Sequence, residues 1–209
     1  MTVSFLFFVL NSKECERLAR LPQQYFSSKY LPYAISGKNQ KVTLYKTQSE
    51  YCWSLLKPNL DWLRRFSFGQ IFEIVETEVK TTKTLDRIQE INHLDVDIIK
   101  IDTQGLELPI LIRAGSFLEE AIYVETETGF AEGYFGETTY AQIDEFMRRN
   151  NFLLFDINTN HRVARNNILS ENDQREQILF VSTSIHFWRS RDGAEVDFVV
   201  TVGIDLVPV

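Results

Sequence analysis

Between Thr84 and Ile157 the sequence alternates helix-like with strand-like segments, and this order restricts the fold more than any other feature of the chain. Leu85, Ile88 and Ile91 lie three apart on one helical face, and Asp97 to Asp102 then forms a short apolar run bounded by acids, the pattern of a buried strand. Glu107-Leu108-Pro109 sets an acid and a proline where a helix's first turn favours them, and Ala114-Gly115 ends that helix. Ile122 to Glu127 alternates as a strand. Thr139 and Gln142 have the spacing of a capping box, opening a helix that buries Ile143, Phe146 and Met147 and stops at Asn150-Asn151. Phe152 to Ile157 is a further strand. Helix, strand, helix, strand, helix, strand predicts an α/β fold, a largely parallel sheet covered by helices.

Upstream, the Phe- and Val-rich run Val3 to Leu10 reads as a strand buried on both faces, followed by Asn11 and Ser12 as caps and a helix carrying Cys15, Leu18 and Ala19. Lys41 to Tyr45, beyond a Ser36-Gly37 turn, and Glu73 to Lys80 read as strands, with an edge position one option. The run at Val3 is about half the length that spans a bilayer and has no basic flank or cleavage site, so neither a membrane partner nor a signal peptide is expected. With 29 acids against 22 bases, a net charge of −7 and no cluster of Lys or Arg, a nucleic-acid partner is not expected either. Cys15 and Cys52 form no CxxC and no regular spacing, which implies neither disulfide framework nor zinc cage and points to a reducing, cytoplasmic setting. His93, His161 and His186 are scattered, and no metal site is expected.

In open α/β sheets ligands sit beyond the carboxyl ends of the strands, so the polar residues leaving each strand are candidates. Asp102 closes the strand IIKID, Thr103-Gln104-Gly105 forms a short turn, and Glu107 opens the next helix. A purely structural role is the alternative, with Asp102 capping that helix and Glu107 complementing its dipole. Glu125 and Glu127 share one face of the next strand, where they could hold a cation or a proton or simply face solvent. The loop that follows has Gly129, Gly133 and Gly136 without the GxGxxG spacing, and Phe130, Tyr134 and Phe135 suit a lid over a pocket. His161 reads as an exposed loop residue. GxSxG, Walker A and HExxH patterns are all absent.

The segment DVDIIKIDTQGLELPILIRAG, with AIYVETETGF, GYFG and TTYAQIDEFMRRNNFLLFDI, resembles the core of the FkbM family of S-adenosylmethionine-dependent methyltransferases. Lys100, Asp102, Gln104, Gly105, Glu107 and Gly115 carry the likeness, and the pieces around Ala34 to Ser36, Ser54 to Asn59 and Thr84 to Asp86 extend it over roughly residues 3 to 165. The resemblance implies a Rossmann-like class I methyltransferase core with a mostly parallel sheet and helices on both faces. It implies methyl transfer from S-adenosylmethionine to a hydroxyl on a sugar or another small molecule. Asp102, Glu107 and Lys100 become the catalytic candidates, and Gln104, Gly105, Ala34 and Ser36 the cofactor-binding ones.

Two departures qualify that expectation. The family's first strand and its glycine-rich turn, of the kind DxGAxxGxxS, have no counterpart here, so the chain reads as amino-terminally truncated with weak cofactor binding. The strand at Val3 resembles the family's second, and Val9 and Leu10 stand where an acid would hold the ribose diol. A scaffold that keeps the fold without catalysis, its exposed strand pairing with a partner, is the alternative function. The tail HFWRSRDGAEVDFVVTVGIDLVPV resembles the nuclease-like domain at the end of many AAA-type ATPases, with Asp197 as its first acid. The expected division is therefore a methyltransferase domain over 1–180 and a possibly foreign strand pair over 181–209.

Overall fold

Strand β1 (Ser4–Phe8) begins a strand, helix, strand unit: α1 (Ser12–Ala19) follows it, and β2 (Ser27–Leu31) returns parallel to β1 with Phe8 opposite Leu31. The computed structural model describes residues 4–8, 12–20, 27–91, 93–94, 96–157, 162–164, 178–180, 183–188, 201–202 and 205–206. Leu6, Phe7 and Phe8 are half-buried, Cys15 is buried and Ala19 is exposed. Val9, Leu10, His161 and Asp197 lie outside the described residues.

A second sheet forms from β3 (Ala34–Ile35), β4 (Lys41–Thr47) and β5 (Ile74–Lys83) in the order β3-β5-β4. β5 pairs antiparallel with β4 and parallel with β3, so the two strands expected at Lys41 and Glu73 are neighbours. The chain between them folds as short turns around α2 (Leu60–Leu63), whose Asn59 side chain accepts a hydrogen bond from the Trp62 amide. Gly69 closes this connection because a Cβ there would lie 2.4 Å from the Leu63 carbonyl oxygen.

The helix expected over Thr84 to Ile91 is instead two 3-10 turns, Leu85–Arg87 and Gln89–Ile91. Leu85, Ile88 and Ile91 repeat every three residues, the period of a 3-10 helix, and all three are buried. β6 (Ile98–Ile101) then leads through α3 (Glu107–Ile112) and α4 (Ser116–Glu120) to β7 (Tyr123–Thr128), which pairs parallel with β6. Gly115, at φ +54°, divides the two helices, so the stop expected there is also a start. α5 (Tyr140–Arg149) carries the expected capping box, Thr139 and Gln142 each bonding back to the other, and β8 (Leu153–Ile157) follows.

The remaining strands are β9 (Arg162–Ala164), β10 (Ile178–Phe180), β11 (Thr183–Trp188), β12 (Thr201–Val202) and β13 (Asp205–Leu206). β11 runs antiparallel between β7 and β8, giving a central sheet in the order β6-β7-β11-β8. β6, β7 and β8 do share one direction, as the alternation requires, but β11 separates β7 from β8. Across the described residues three strand pairs are parallel and five antiparallel. The sheets are therefore mixed, and the expectation of a mostly parallel sheet is corrected: a sequence pattern gives the direction of a strand between helices, but not which later strand inserts beside it. A division at residue 180 falls just ahead of a strand hydrogen-bonded on both sides.

One face of the central sheet meets α3 and α5. Val124, Phe187, Ile110, Leu111, Ile143, Met147 and Phe152 are all at most 2% exposed and form the centre of this core. The opposite face carries polar pairs beside exposed apolar side chains: Lys100 Nζ lies 2.9 Å from Glu125 Oε1 and the Tyr123 hydroxyl is bonded to His186 Nδ1, while Ile98 and Leu153 are exposed. Burial pushes the Tyr123 hydroxyl up to about 12.

Candidate functional site

At the carboxyl end of β6 the chain makes a turn that side chains cannot easily follow. Gln104 has φ +56° and Gly105 φ +110°, both in the left-handed region. A Cβ on Gly105 would lie 2.9 Å from Leu56 Cδ1 and 3.2 Å from Glu137 Cγ, so the residue after Gln104 has to be glycine for packing as well as for conformation. Glu107 holds this turn. Its Oε1 accepts from the Thr103 amide at 3.0 Å, the Thr103 hydroxyl at 3.0 Å and the Gly105 amide at 3.1 Å. The Ser54 hydroxyl adds a bond to the Gln104 carbonyl at 2.8 Å. Glu107 thus works on the preceding turn. The residue preceding α3 is Leu106, which makes no side-chain capping bond, so Asp102 does not cap this helix.

Asp102 itself is exposed and accepts from Gln104 Nε2 at 2.8 Å; the same amide reaches Glu127 Oε2 at 3.3 Å. Gln104 therefore bridges the carboxyl ends of β6 and β7. Its Oε1 lies 3.2 Å from the Tyr134 hydroxyl, which also approaches the Cys52 carbonyl at 3.0 Å. Tyr134 is 4% exposed while Phe130 and Phe135 are exposed, so the expected three-aromatic lid reduces to one ring turned inward. Burial raises the Tyr134 hydroxyl far above its ordinary range.

Behind this bridge lies a small recess of about 40 Å³, partly open to solvent, lined by Glu107, Glu127 and Glu137 among polar residues and by Leu63, Phe72 and Tyr134 among apolar ones. Glu137 Oε2 accepts from the Gly133 amide at 2.7 Å and the Tyr134 amide at 3.0 Å. Burial nevertheless pushes its carboxyl up to about 7, with the Glu107 charge adding to the effect. Glu107, 1% exposed, is raised for the same reason, since loss of water outweighs its three donors.

The raised Glu137 group has a consequence for stability. Between the ordinary value of 4.5 and about 7 the folded chain holds a proton that the unfolded chain has released, so stability falls as pH rises through that window. Glu137→Gln is expected to remove a slope on the order of 2–3 kcal/mol. Urea unfolding at about pH 5 and about pH 7.5 measures it, and an unchanged slope in the variant would assign the effect to another group.

Of the residues expected at the site, Asp102, Gln104, Gly105 and Glu107 meet in this one turn. Lys100 is paired with Glu125 on the sheet face away from α3 and α5 and does not line the recess. Ala34 and Ser36 are buried at β3, beside α3: a Cβ on the adjacent Gly37 would lie 2.7 Å from Pro109 Cβ. They do not line the recess. Glu137, Thr103 and Ser54 are additions to the expected site, whereas Tyr134 was expected as part of a lid over a pocket. That expected lid is the signal that this loop folds back toward the strand ends.

Fold and site together define an α/β domain with a carboxylate-lined recess beyond two parallel strands. The family model described as the Methyltransferase FkbM domain matches residues 5–154, and the chain belongs to that family. Comparison with curated proteins gives no match, and comparison with solved structures gives none. The likeness of residues 186–209 to the nuclease-like domain of AAA-type ATPases finds no support in these comparisons, and His186 to Trp188 belong to the central sheet. A methyltransferase family implies a methyl donor such as S-adenosylmethionine. The described residues do not fit a complete site for it: Gly37 and Gly105, next to the strand ends, are packed against Pro109 and Leu56 and offer no open backbone cradle. No helix among the described residues is long and apolar enough to cross a membrane.

Proposed function

We propose that the domain is a Rossmann-like O-methyltransferase that uses S-adenosylmethionine to methylate a hydroxyl on a sugar or another small molecule, with the acceptor held over the turn at the end of β6. The observation that supports it is the bridge Asp102, Gln104, Glu127: an exposed carboxylate fixed by an amide where a strand leaves the core. Asp102 is the base that accepts the proton of the acceptor hydroxyl, and the Gln104 amide on its Oδ1 orients the carboxylate. Glu107 keeps the turn in place and Lys100 balances Glu125. Gln104 and Gly105, which line the recess, are the proposed contacts to the cofactor, which supplies an activated methyl group; Ala34 and Ser36, buried at β3, are not among them. With Gly37 and Gly105 closed by Pro109 and Leu56, that binding is weak.

Transfer of a labelled methyl group to a panel of sugars and small alcohols tests the reading. Asp102→Asn is expected to lower transfer by roughly two to four orders of magnitude with little loss of fold, and Glu127→Gln by less. Unchanged turnover in Asp102→Asn removes that residue from the mechanism. Calorimetry with S-adenosylhomocysteine is expected to show affinity roughly a hundredfold or more below that of a site with an open backbone cradle. A low-micromolar constant overturns the weak-binding reading.

One observation favours an interaction domain instead. Among the described residues β6 pairs only with β7, and β1 only with β2, which leaves sheet edges that a strand of another chain could extend. Absence of both methyl transfer and cofactor binding would favour that reading.

A further inference from the structure

The recess beside Gln104 holds more hydrogen-bond acceptors than donors. Its side-chain donors are engaged: Gln104 Nε2 with Asp102 and Glu127, the Thr128 hydroxyl with the Thr138 carbonyl at 3.2 Å, and the Tyr134 hydroxyl with Cys52 and Gln104. The other polar side chains are the carboxyls of Glu107, Glu127 and Glu137, and no lysine, arginine or histidine lines the recess. Glu107 adds a second, separate observation. Its Oε1 is saturated by three donors, whereas Oε2 is buried with no hydrogen-bond partner among the described residues. A buried carboxyl oxygen without a partner is costly, and here it belongs to a residue lining an opening to solvent.

Resting on the reading of this site as the acceptor pocket, we propose that the recess takes the ammonium group of an amine-bearing small molecule, with Glu107 Oε2 as its principal partner and Glu127 and Glu137 around it. An ammonium brings three donors, no acceptor and one positive charge, which answers a wall of acceptors and carboxyls. The apolar wall suits it as well, because Phe72 and Tyr134 meet edge to face with ring centroids 5.9 Å apart, and an aromatic face attracts a cation. A neutral hydroxyl supplies one donor and presents its own lone pairs to the remaining acceptors. A calcium or magnesium ion needs oxygens converging at about 2.0–2.6 Å, and no group of three or more His, Cys, Asp or Glu side chains among the described residues could hold a metal. A sulfonium has no hydrogen to donate, but a methyl donor such as S-adenosylmethionine also carries an ammonium, which displacement distinguishes from that of the acceptor. On this proposal the acceptor is an amino compound, such as an amino sugar, whose ammonium anchors it while a hydroxyl reaches Asp102.

The test is binding to the whole chain without any methyl donor. Glucosamine is expected to bind measurably by calorimetry and glucose not, and methylammonium chloride to raise the thermal midpoint where sodium chloride at equal concentration does not. Glu107→Gln keeps an oxygen for the three donors of the turn but puts an amide N–H₂ at the Oε2 position. It should lower glucosamine affinity at least tenfold with the thermal midpoint retained; if it does not fold, Glu137→Gln serves in the same titration. Equal binding of glucose and glucosamine, or unchanged affinity in a folded variant, overturns the proposal. So does displacement of methylammonium by S-adenosylhomocysteine, which would assign the recess to the amino group of the cofactor product. Methyl transfer to neutral sugars without ammonium binding refutes this inference and leaves the methyltransferase reading standing. Ammonium binding without transfer to any hydroxyl does the reverse.

Discussion

A chain shortened to end at residue 182 is expected to lose cooperative unfolding altogether. β11 supplies the hydrogen bonds on one side of both β7 and β8, and Phe187, fully buried at its centre, packs in the main core. Loss of a buried Phe side chain alone costs about 3–5 kcal/mol, and removing the strand also strips two ladders and exposes Val124. The sum meets or exceeds the roughly 5–15 kcal/mol that holds a domain together. Urea titration followed by near-ultraviolet circular dichroism is the measurement. A shortened chain with the full-length midpoint would show that the tail is an appendage, as its resemblance to another family suggests.

The second large effect is at Glu107. Glu107→Ala leaves the Thr103 amide, the Thr103 hydroxyl and the Gly105 amide without their acceptor, in a turn already held at two positive φ values. Each buried unsatisfied donor costs about 1–3 kcal/mol, so a loss of about 3–5 kcal/mol is expected. Glu107→Gln should recover most of it, because the amide oxygen can take the place of Oε1. Chemical denaturation of the two variants side by side separates this turn-holding role from charge. If alanine costs less than about 1 kcal/mol, the carboxyl does not hold the turn.

What the sequence discloses follows the range of the interactions involved. The capping box of Thr139 and Gln142 is local, and it is present where the spacing puts it. The strand over Ile98–Ile101 and the helix opened by Glu107 are equally local, fixed by an apolar run between acids and by a proline. The helix expected over Leu85 to Ile91 fails for a local reason too, since a spacing of three fits a 3-10 turn as well as one face of an α-helix. β11 is different. Its place between β7 and β8 depends on pairings Ser184 with Glu127 and His186 with Asp156, which no pattern within the segment reveals.

The site divides in the same way. Asp102, Gln104, Gly105 and Glu107 fall within six consecutive residues, so the strand-end rule finds them together. Tyr134 and Glu137 arrive from a loop beyond β7, and their part depends on two contacts between distant segments: Tyr134 against Cys52, and Glu137 against the Gly105 backbone position. Burial then raises the Glu137 carboxyl, an effect that exists only once the recess has formed. Lys100, Ala34 and Ser36 were brought in by likeness to a family motif, and the sheet gives them neighbours outside the recess.

The insertion of β11 also sets the order in which the domain can assemble as it is made. β8 is complete at Ile157, but its hydrogen-bonded neighbour among the described residues begins at Thr183, and the segment from 158 to 182 has to be synthesised in between. Until then, among the described residues, β8 has no strand beside it and β7 has a neighbour on one side only. At translation speeds of about 5–20 residues per second this leaves sheet edges open for a second or more after the ribosome has passed β8. The emerging chain therefore closes its sheet late, and a stop codon or ribosomal stall inside that stretch would release a product with a bare edge in place of a smaller folded domain.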